Sequence, residues 1–481
     1  MPTPSPATHE GRIVAVLAYA GIVAAVMQTL VVPLITELPK LLSTTASNAS
    51  WVITVTLLTG AVATPVAGKL GDMYGKRRIA LVLTVPMILG SAVCALSSSL
   101  TPMVVGRGLQ GLGIGIVPLG ISLLRDVLPP ARLHSSIALM SASMGIGGAL
   151  GLPFAATVAE KADWHVLFWV ATGMSALITV AVFLWVPSVR PDTEERARFD
   201  FVGALGLGAA LVCLLLAVSK GSDWGWASAS VVGLLVATVA IVAAWGWFEL
   251  RQDHPLVDLR VTARPQVLWT NVASFLVGFA MYAQSLVVPQ LLELPAATGY
   301  GLGQSMIQMG LWMAPAGLVM MAMSPVGAKI TGRFGAKVTL SLGALVIAVG
   351  YGAAQGLLGS AWGLLVVTLL CGSGVGLAYG AMPALIMAAV PHHETGAANG
   401  FNSIMRSVGS SVSAAVMGAV LARLTATTGG YTFPSLGGFR VALVIGAGVA
   451  LVAAVVAALV PTASRTVDAA AAPEREPAAV A

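Results

Sequence analysis

Charge is what this sequence lacks. Asp, Glu, Lys and Arg make up 9% of its 481 residues, against roughly 25% in soluble domains, so a water-facing globular surface cannot be built from it. Cysteine is nearly as scarce. Cys94, Cys213 and Cys371 all fall inside apolar stretches, where packing is their role, and three scattered thiols give neither a disulfide framework nor a metal spacing. The six histidines, His9, His134, His165, His254, His392 and His393, are peripheral to those stretches and form no metal site. A Gly-x4-Gly-Lys-Ser/Thr phosphate loop is missing, as is room for a nucleotide-binding domain, which disfavours an ATP-driven pump. The net charge of +6 is spread through loops instead of gathered in one patch, which argues against nucleic acid as a partner. No cofactor, metal or enzymatic constellation is implied.

What is there instead is apolar length. Residues of the hydrophobic class make up 57% of the chain, with 54 glycines among the rest, and small residues let membrane helices pack closely. A hydrocarbon core about 30 Å thick needs roughly 20 apolar residues of helix, and unpaired backbone groups are not tolerated in lipid. Stretches of that kind fall near 12–36, 49–69, 79–97, 101–124, 134–158 and 165–186, then 201–219 and 228–248, then 267–291, 306–328, 337–357, 361–385, 398–424 and 440–461. No small-residue cleavage site ends the first, so it is read as a span and not a leader. The predicted fold class is all-α, a polytopic membrane protein of 14 transmembrane helices. It divides into an N-terminal six-helix bundle (1–186), linker loops with two accessory helices (187–266), a C-terminal six-helix bundle (267–461) and a disordered tail (462–481). With the N-terminus inside, 18 of the 25 basic residues fall in cytoplasmic segments. The positive-inside rule therefore puts both termini in the cytoplasm.

The two sixes repeat each other. Gln28 to Pro39 reads QTLVVPLITELP and Gln284 to Pro295 reads QSLVVPQLLELP, at an offset of 256. Pro65 to Arg77 (PVAGKLGDMYGKR) matches Pro325 to Lys337 (PVGAKITGRFGAK) at 260, and Gly111, Gly113 and Gly115 match Gly372, Gly374 and Gly376 at 261. An even number of spans separates the copies, so they share one membrane orientation. Parallel repeats of this kind are related by an axis along the membrane normal, with a site between them near the midplane.

Between the second and third spans the chain reads Gly68-Lys-Leu-Gly-Asp72-Met-Tyr-Gly75-Lys76-Arg77-Arg78. Its glycines permit a tight turn. Asp72 can reach Lys76 one turn later or cap an exposed helix start, with Asp126 as a further partner. The segment resembles the cytoplasmic loop signature of the major facilitator superfamily, specifically its fourteen-helix drug/proton antiporter branch, and the resemblance covers nearly the whole chain. It implies that this loop holds an outward-facing state by bridging the two halves. Met73 and Lys76 depart from the usual basic residue and arginine, which points to a weaker latch.

Further residues extend the resemblance. Arg107-Gly-Leu-Gln110-Gly is similar to the family's fourth-helix motif, whose arginine is implicated in proton movement; the alternative is an arginine snorkelling near the outer interface. Gly147, Gly151 and Pro153 in the fifth span resemble the antiporter signature, although Leu152, Ala155 and Ala156 break its wording; they serve helix packing. Arg406, resembling a feature of the corresponding late helix, contacts substrate or pairs with a carbonyl or Asn402. The aspartate that the family places in the first span is Met27 here. That leaves Glu37, Glu293 and Glu160, at outer span ends, as the carboxylates available for proton coupling. Gln28 and Gln284 are matched across the halves, and with Tyr282 and Trp312 they are candidates to line a substrate cavity.

The reading these features favour is a plasma-membrane secondary-active exporter of small amphiphilic molecules, drugs or secondary metabolites, by proton antiport, acting as a monomer in the lipid bilayer. Two embedded arginines and no embedded acid favour neutral, zwitterionic or anionic substrates. The alternatives are a proton-coupled or facilitated importer of a small metabolite and a non-transporting membrane sensor.

Overall fold

The structure is a computed structural model and describes residues 6–34, 37–49, 51–189, 199–253, 255–391, 394–428 and 431–461. His254, His392, His393 and the tail 462–481 lie outside the described residues. Among the described residues fourteen helices are long and apolar enough to cross a membrane: α1 (Glu10–Leu34), α2 (Trp51–Tyr74), α3 (Lys76–Ala95), α4 (Leu100–Val127), α5 (Pro130–Lys161), α6 (His165–Trp185), α7 (Phe201–Gly221), α8 (Ala229–Glu249), α9 (Pro265–Glu293), α10 (Met306–Phe334), α11 (Ala336–Leu357), α12 (Ala361–Ala389), α13 (Thr395–Arg423) and α14 (Leu436–Leu459). They stand within a few residues of the expected spans. Several exceed what a bilayer requires, α5 by the most at 32 residues, so their ends project beyond the hydrocarbon or the helices tilt.

Helix ends follow the sequence chemistry. Ser305 and Gln308 form a capping box at the start of α10, and Ser228, Ser360 and Ser435 cap α8, α12 and α14 with their hydroxyls. The repeat is visible in the backbone. Gly75 between α2 and α3 (φ 96°) and Gly335 between α10 and α11 (φ 90°) occupy matching places and adopt the same positive-φ turn, which side chains with a Cβ rarely enter. In α4 a 3-10 turn at Gly113–Gly115 interrupts the helix. There the backbone presses on its neighbours, and a Cβ on Gly111 would lie 2.5 Å from Thr56 O of α2.

Two apolar cores coincide with the two sixes. One runs from Ile13 to Val186 with Met387 added, the other from Ala273 to Val460. The halves meet along two seams, α5 against α10 and α2 against α13. At the first seam glycines face each other, since a Cβ on Gly317 would fall 2.1 Å from Gly145 O. The second is overlaid by α7. Leu207, Leu211 and Leu215 of α7 pack with Leu58 and Ala61 of α2 and with Ile404 and Val408 of α13 in a smaller third core. The fold is all-α as expected, with one short hairpin added outside the spans. Thr425–Thr428 pairs antiparallel with Tyr431–Pro434 between α13 and α14. The run Thr-Ala-Thr-Thr-Gly-Gly-Tyr-Thr-Phe carries a hairpin signal that a search for apolar length passes over.

Candidate functional site

The end of the molecule that carries the Gly68–Arg78 loop, its basic face, is tied shut across the α2–α13 seam. Gly68 allows the approach, because a Cβ there would sit 2.4 Å from Gly396 O. Asp72 then accepts from the backbone N–H groups of Gly396 (3.2 Å) and Ala397 (3.0 Å) in the first turn of α13. A helix start has orphan N–H donors and the positive end of the helix dipole, so a carboxylate from the other half suits it. Lys76 stands 3.6 Å from Asp72 and 2.8 Å from Asp126, and the side chains of Lys76 and Asp72 are only 6% and 4% exposed. One ammonium thus serves two acids inside the N-terminal half, and of these three side chains it is Asp72 that reaches across. Arg125, which the sequence reading did not single out, adds a second bridge. It donates to Thr395 Oγ1 (2.6 Å) and Val390 O of the C-terminal half. Its only sequence signal was its place beside Asp126 at the end of α4. Arg77 is turned instead to α6, donating to Phe183 O (2.6 Å), and Arg78 is exposed.

Arg107 is 1% exposed, inside the first core and not at an interface, so the snorkelling alternative is set aside. Its Nε donates to Val52 O (3.1 Å) and its Nη1 to Met27 O (2.8 Å) and Gln110 Oε1 (2.6 Å). Gln110 passes the chain on to Ser91 Oγ at 2.7 Å. Among the described residues no carboxylate pairs with it. The acceptor at position 27, where the resemblance led us to look for an aspartate, is the backbone carbonyl. A buried guanidinium is tolerable when its donors are met in this way.

In the C-terminal half, α9, α12 and α13 bring Met281, Tyr379 and Arg406 together. The Arg406 guanidinium lies 4.5 Å from the centroid of the Tyr379 ring and donates to Ser403 Oγ at 3.2 Å; the Tyr379 hydroxyl donates to Met281 Sδ at 3.3 Å. Asn402 is not its partner, because that amide donates to Asn271 Oδ1 (2.9 Å) and Ser274 Oγ (2.8 Å) instead. Tyr379 carried no motif, and only the fold reveals it. Gln284 lies on α9 three residues from Met281, and its Oε1 is buried with no donor among the described residues. Gln28 and Tyr282 are half-buried. Trp312 stands apart. Near the opposite face its indole donates to Gln304 Oε1 (3.1 Å) and meets Trp362 edge-on at 4.9 Å.

Glu37, Glu160 and Glu293 are all exposed at that opposite face. The small residues of α5 serve two neighbours. Gly147 and Gly151 admit α1, where a Cβ would meet Ile22 O at 2.4 Å and Thr29 Oγ1 at 2.2 Å, while Pro153 packs on Gly310 of α10.

The sequence profile described as Major Facilitator Superfamily matches residues 17–414. The chain is 30% identical over 382 residues to the multidrug resistance protein Stp of Mycobacterium tuberculosis (strain CDC 1551 / Oshkosh), covering 79% of this chain and 70% of that one. It is 28% identical over 393 residues to the tetracenomycin C resistance and export protein of Streptomyces glaucescens, covering 78% and 69%. It spans 58% of the length of an uncharacterized mycobacterial MFS-type transporter that it also matches. Among solved structures, the human organic anion transporter MFSD10 (TETRAN) superimposes with a TM-score of 0.66 at 16% identity, over 95% of this chain and 100% of that one, a likeness of fold.

Proposed function

The chain belongs to the major facilitator superfamily, and from that premise we propose that it is a secondary-active exporter of small amphiphilic molecules in the plasma membrane, working by alternating access and proton antiport. The observation that carries this reading is the latch. Asp72 closes the basic face by hydrogen bonds to two backbone amides of the other half, contacts that break when the halves rock and re-form when they return. The positive-inside rule makes that face cytoplasmic, so the conformation described here is closed to the cytoplasm. The names of the relatives, multidrug resistance and tetracenomycin C export, support outward movement of small molecules. Glu37, Glu160 and Glu293, facing water at the opposite side, are the acids placed to take protons from outside. A single chain with both halves present needs no second copy to make the site.

The test is reconstitution in liposomes under an imposed pH gradient, recording lumenal pH while cationic, neutral and anionic amphiphiles are added in turn. Substrate-dependent dissipation, absent from empty liposomes, is the expected result. Uptake of labelled substrate without proton movement would replace antiport with facilitated transport or import.

A further inference from the structure

The face of α13 that carries Ser403 and Ser407 is neither a helix-packing face nor a lipid face, while the backbone of Arg406 beside it packs against Gly278 of α9. Gly400 presses on Thr64 O and Pro65 of α2, and Gly409 on Phe275 O of α9. Helical geometry at 3.6 residues per turn places Ser403 and Ser407 between these two contacts, on the side away from Phe401 and Met405, with Arg406 on the border of that strip toward α9. Because α2 belongs to one half and α9 to the other, this strip looks into the space between the halves. Ser407 is exposed there although it lies well inside the span. The Ser407 hydroxyl donates to Ser403 O at 3.0 Å, so the group at that depth that needs water or a ligand is the guanidinium.

The guanidinium itself has most of its donors unused. It has five N–H donors, of which one is used on Ser403, and among the described residues no carboxylate lies within ion-pair distance. One flat face is held against Tyr379, which fixes the orientation of the fork without neutralising it. Arg107 offers the contrast within the same molecule: it is fully buried, and three acceptors meet its donors. Arg406 is held in place with donors left over.

The geometry points to Arg406, oriented by Tyr379 and Ser403, as an anion subsite in the transport cavity: the substrates of this exporter include amphiphilic organic anions, whose carboxylate or sulfonate takes the two-pronged edge of the guanidinium while Tyr379 and Met281 face the apolar part. The assignment rests on the exporter reading above and narrows it. A planar fork matches such a group bidentately, which a lysine cannot do, and an unneutralised cation at this depth disfavours a cationic solute.

The experiment uses two fluorescent probes that differ by one charged group, 1-anilinonaphthalene-8-sulfonate and the uncharged N-phenyl-1-naphthylamine. Their transport is measured in proteoliposomes of the full chain, wild type, Arg406→Gln and Arg406→Lys, each first shown to be monodisperse with an unchanged melting temperature. Saturable transport of the sulfonate is expected in the wild type. Arg406→Gln should raise its KM at least about tenfold, the scale of a lost charge-assisted hydrogen bond, with the neutral probe changed less than about twofold. Arg406→Lys should fall between, because the charge remains and the fork does not. Equal loss for both probes overturns the anion subsite and leaves Arg406 a general structural or gating residue. Wild-type transport of the neutral probe alone overturns the subsite while the exporter reading stands, and transport of neither removes both.

Discussion

Replacing Asp72 with alanine should open the basic face, and the size of the effect can be worked from the latch. Two hydrogen bonds to an ionised acceptor are lost, each contributing about 1.5–3 kcal/mol. The favourable placement of a carboxylate at a helix start, about 0.3–1 kcal/mol, goes with them. Water reaching the freed amides of Gly396 and Ala397 offsets part of this, leaving a net shift of about 3 kcal/mol, or roughly 150-fold in the ratio of closed to open forms. Lys76 keeps Asp126, so the N-terminal half itself should hold together. The readout is an electron-spin distance distribution between labels on the exposed positions 78 and 333 at the feet of α3 and α10, in a background lacking Cys94, Cys213 and Cys371. Wild type should give one short population and Asp72→Ala a dominant longer one, with transport slowed and substrate binding retained. An unchanged distribution, with the variant folded, would refute the latch as the element that holds this face closed.

Other consequences are separable. Arg107→Gln should destabilise the purified protein by about 3–5 kcal/mol, the cost of breaking a buried charged network, read as a lowered melting temperature; a wild-type melting curve would count against the pinning role. Gly317→Ala should cut transport at least about tenfold with monodispersity intact, since its Cβ would meet Gly145 O at 2.1 Å, while Gly148→Ala, with nothing within 4 Å, should be silent. If both fail alike, the close seam is irrelevant. Glu37→Gln or Glu293→Gln should shift the pH dependence of proton-driven flux if that carboxylate carries the coupled proton, and a wild-type profile clears it of that role. Asp163, exposed in the turn before α6, is held below its ordinary 3.8 by hydrogen bonds from the His165 backbone and ring. A depressed carboxyl contributes stability that is present above its ordinary value and lost only as pH falls through the lower folded one. Asp163→Asn should therefore leave the shape of the transport profile between pH 5 and 8 unaltered.

The spans were legible because lipid allows one solution to a long apolar run, and the repeat was legible because QTLVVP and QSLVVP survive as strings. Gly75 and Gly335 show the link from sequence to backbone directly, as two matched letters with one shared positive-φ turn. The latch was half legible. Asp72 was visible as a capping residue, but the helix start it caps lies more than 300 residues away, and only the packed structure names Gly396 and Ala397. Arg125 and Tyr379 were not legible. Each acts through a partner brought in from a distant helix, and neither alters local periodicity. Asn402, one of the alternatives offered as a partner for Arg406, was suggested by a spacing of four on one helix; the fold gives Asn402 to α9 through Asn271 and Ser274, which no intrahelical rule can anticipate.

The third core has a kinetic meaning. Under the alternating access proposed above, a helix seated on both halves at once cannot keep both contacts while those halves turn against each other, so α7 must ride with one and slide over the other in every cycle. The leucines that face Leu58 and Ala61 on one side and Ile404 and Val408 on the other therefore act as a friction surface. How deeply they interlock sets how readily the gap between α2 and α13 can widen. On this view the inserted pair of helices acts as a governor on the speed of a machine whose working parts are the twelve around it.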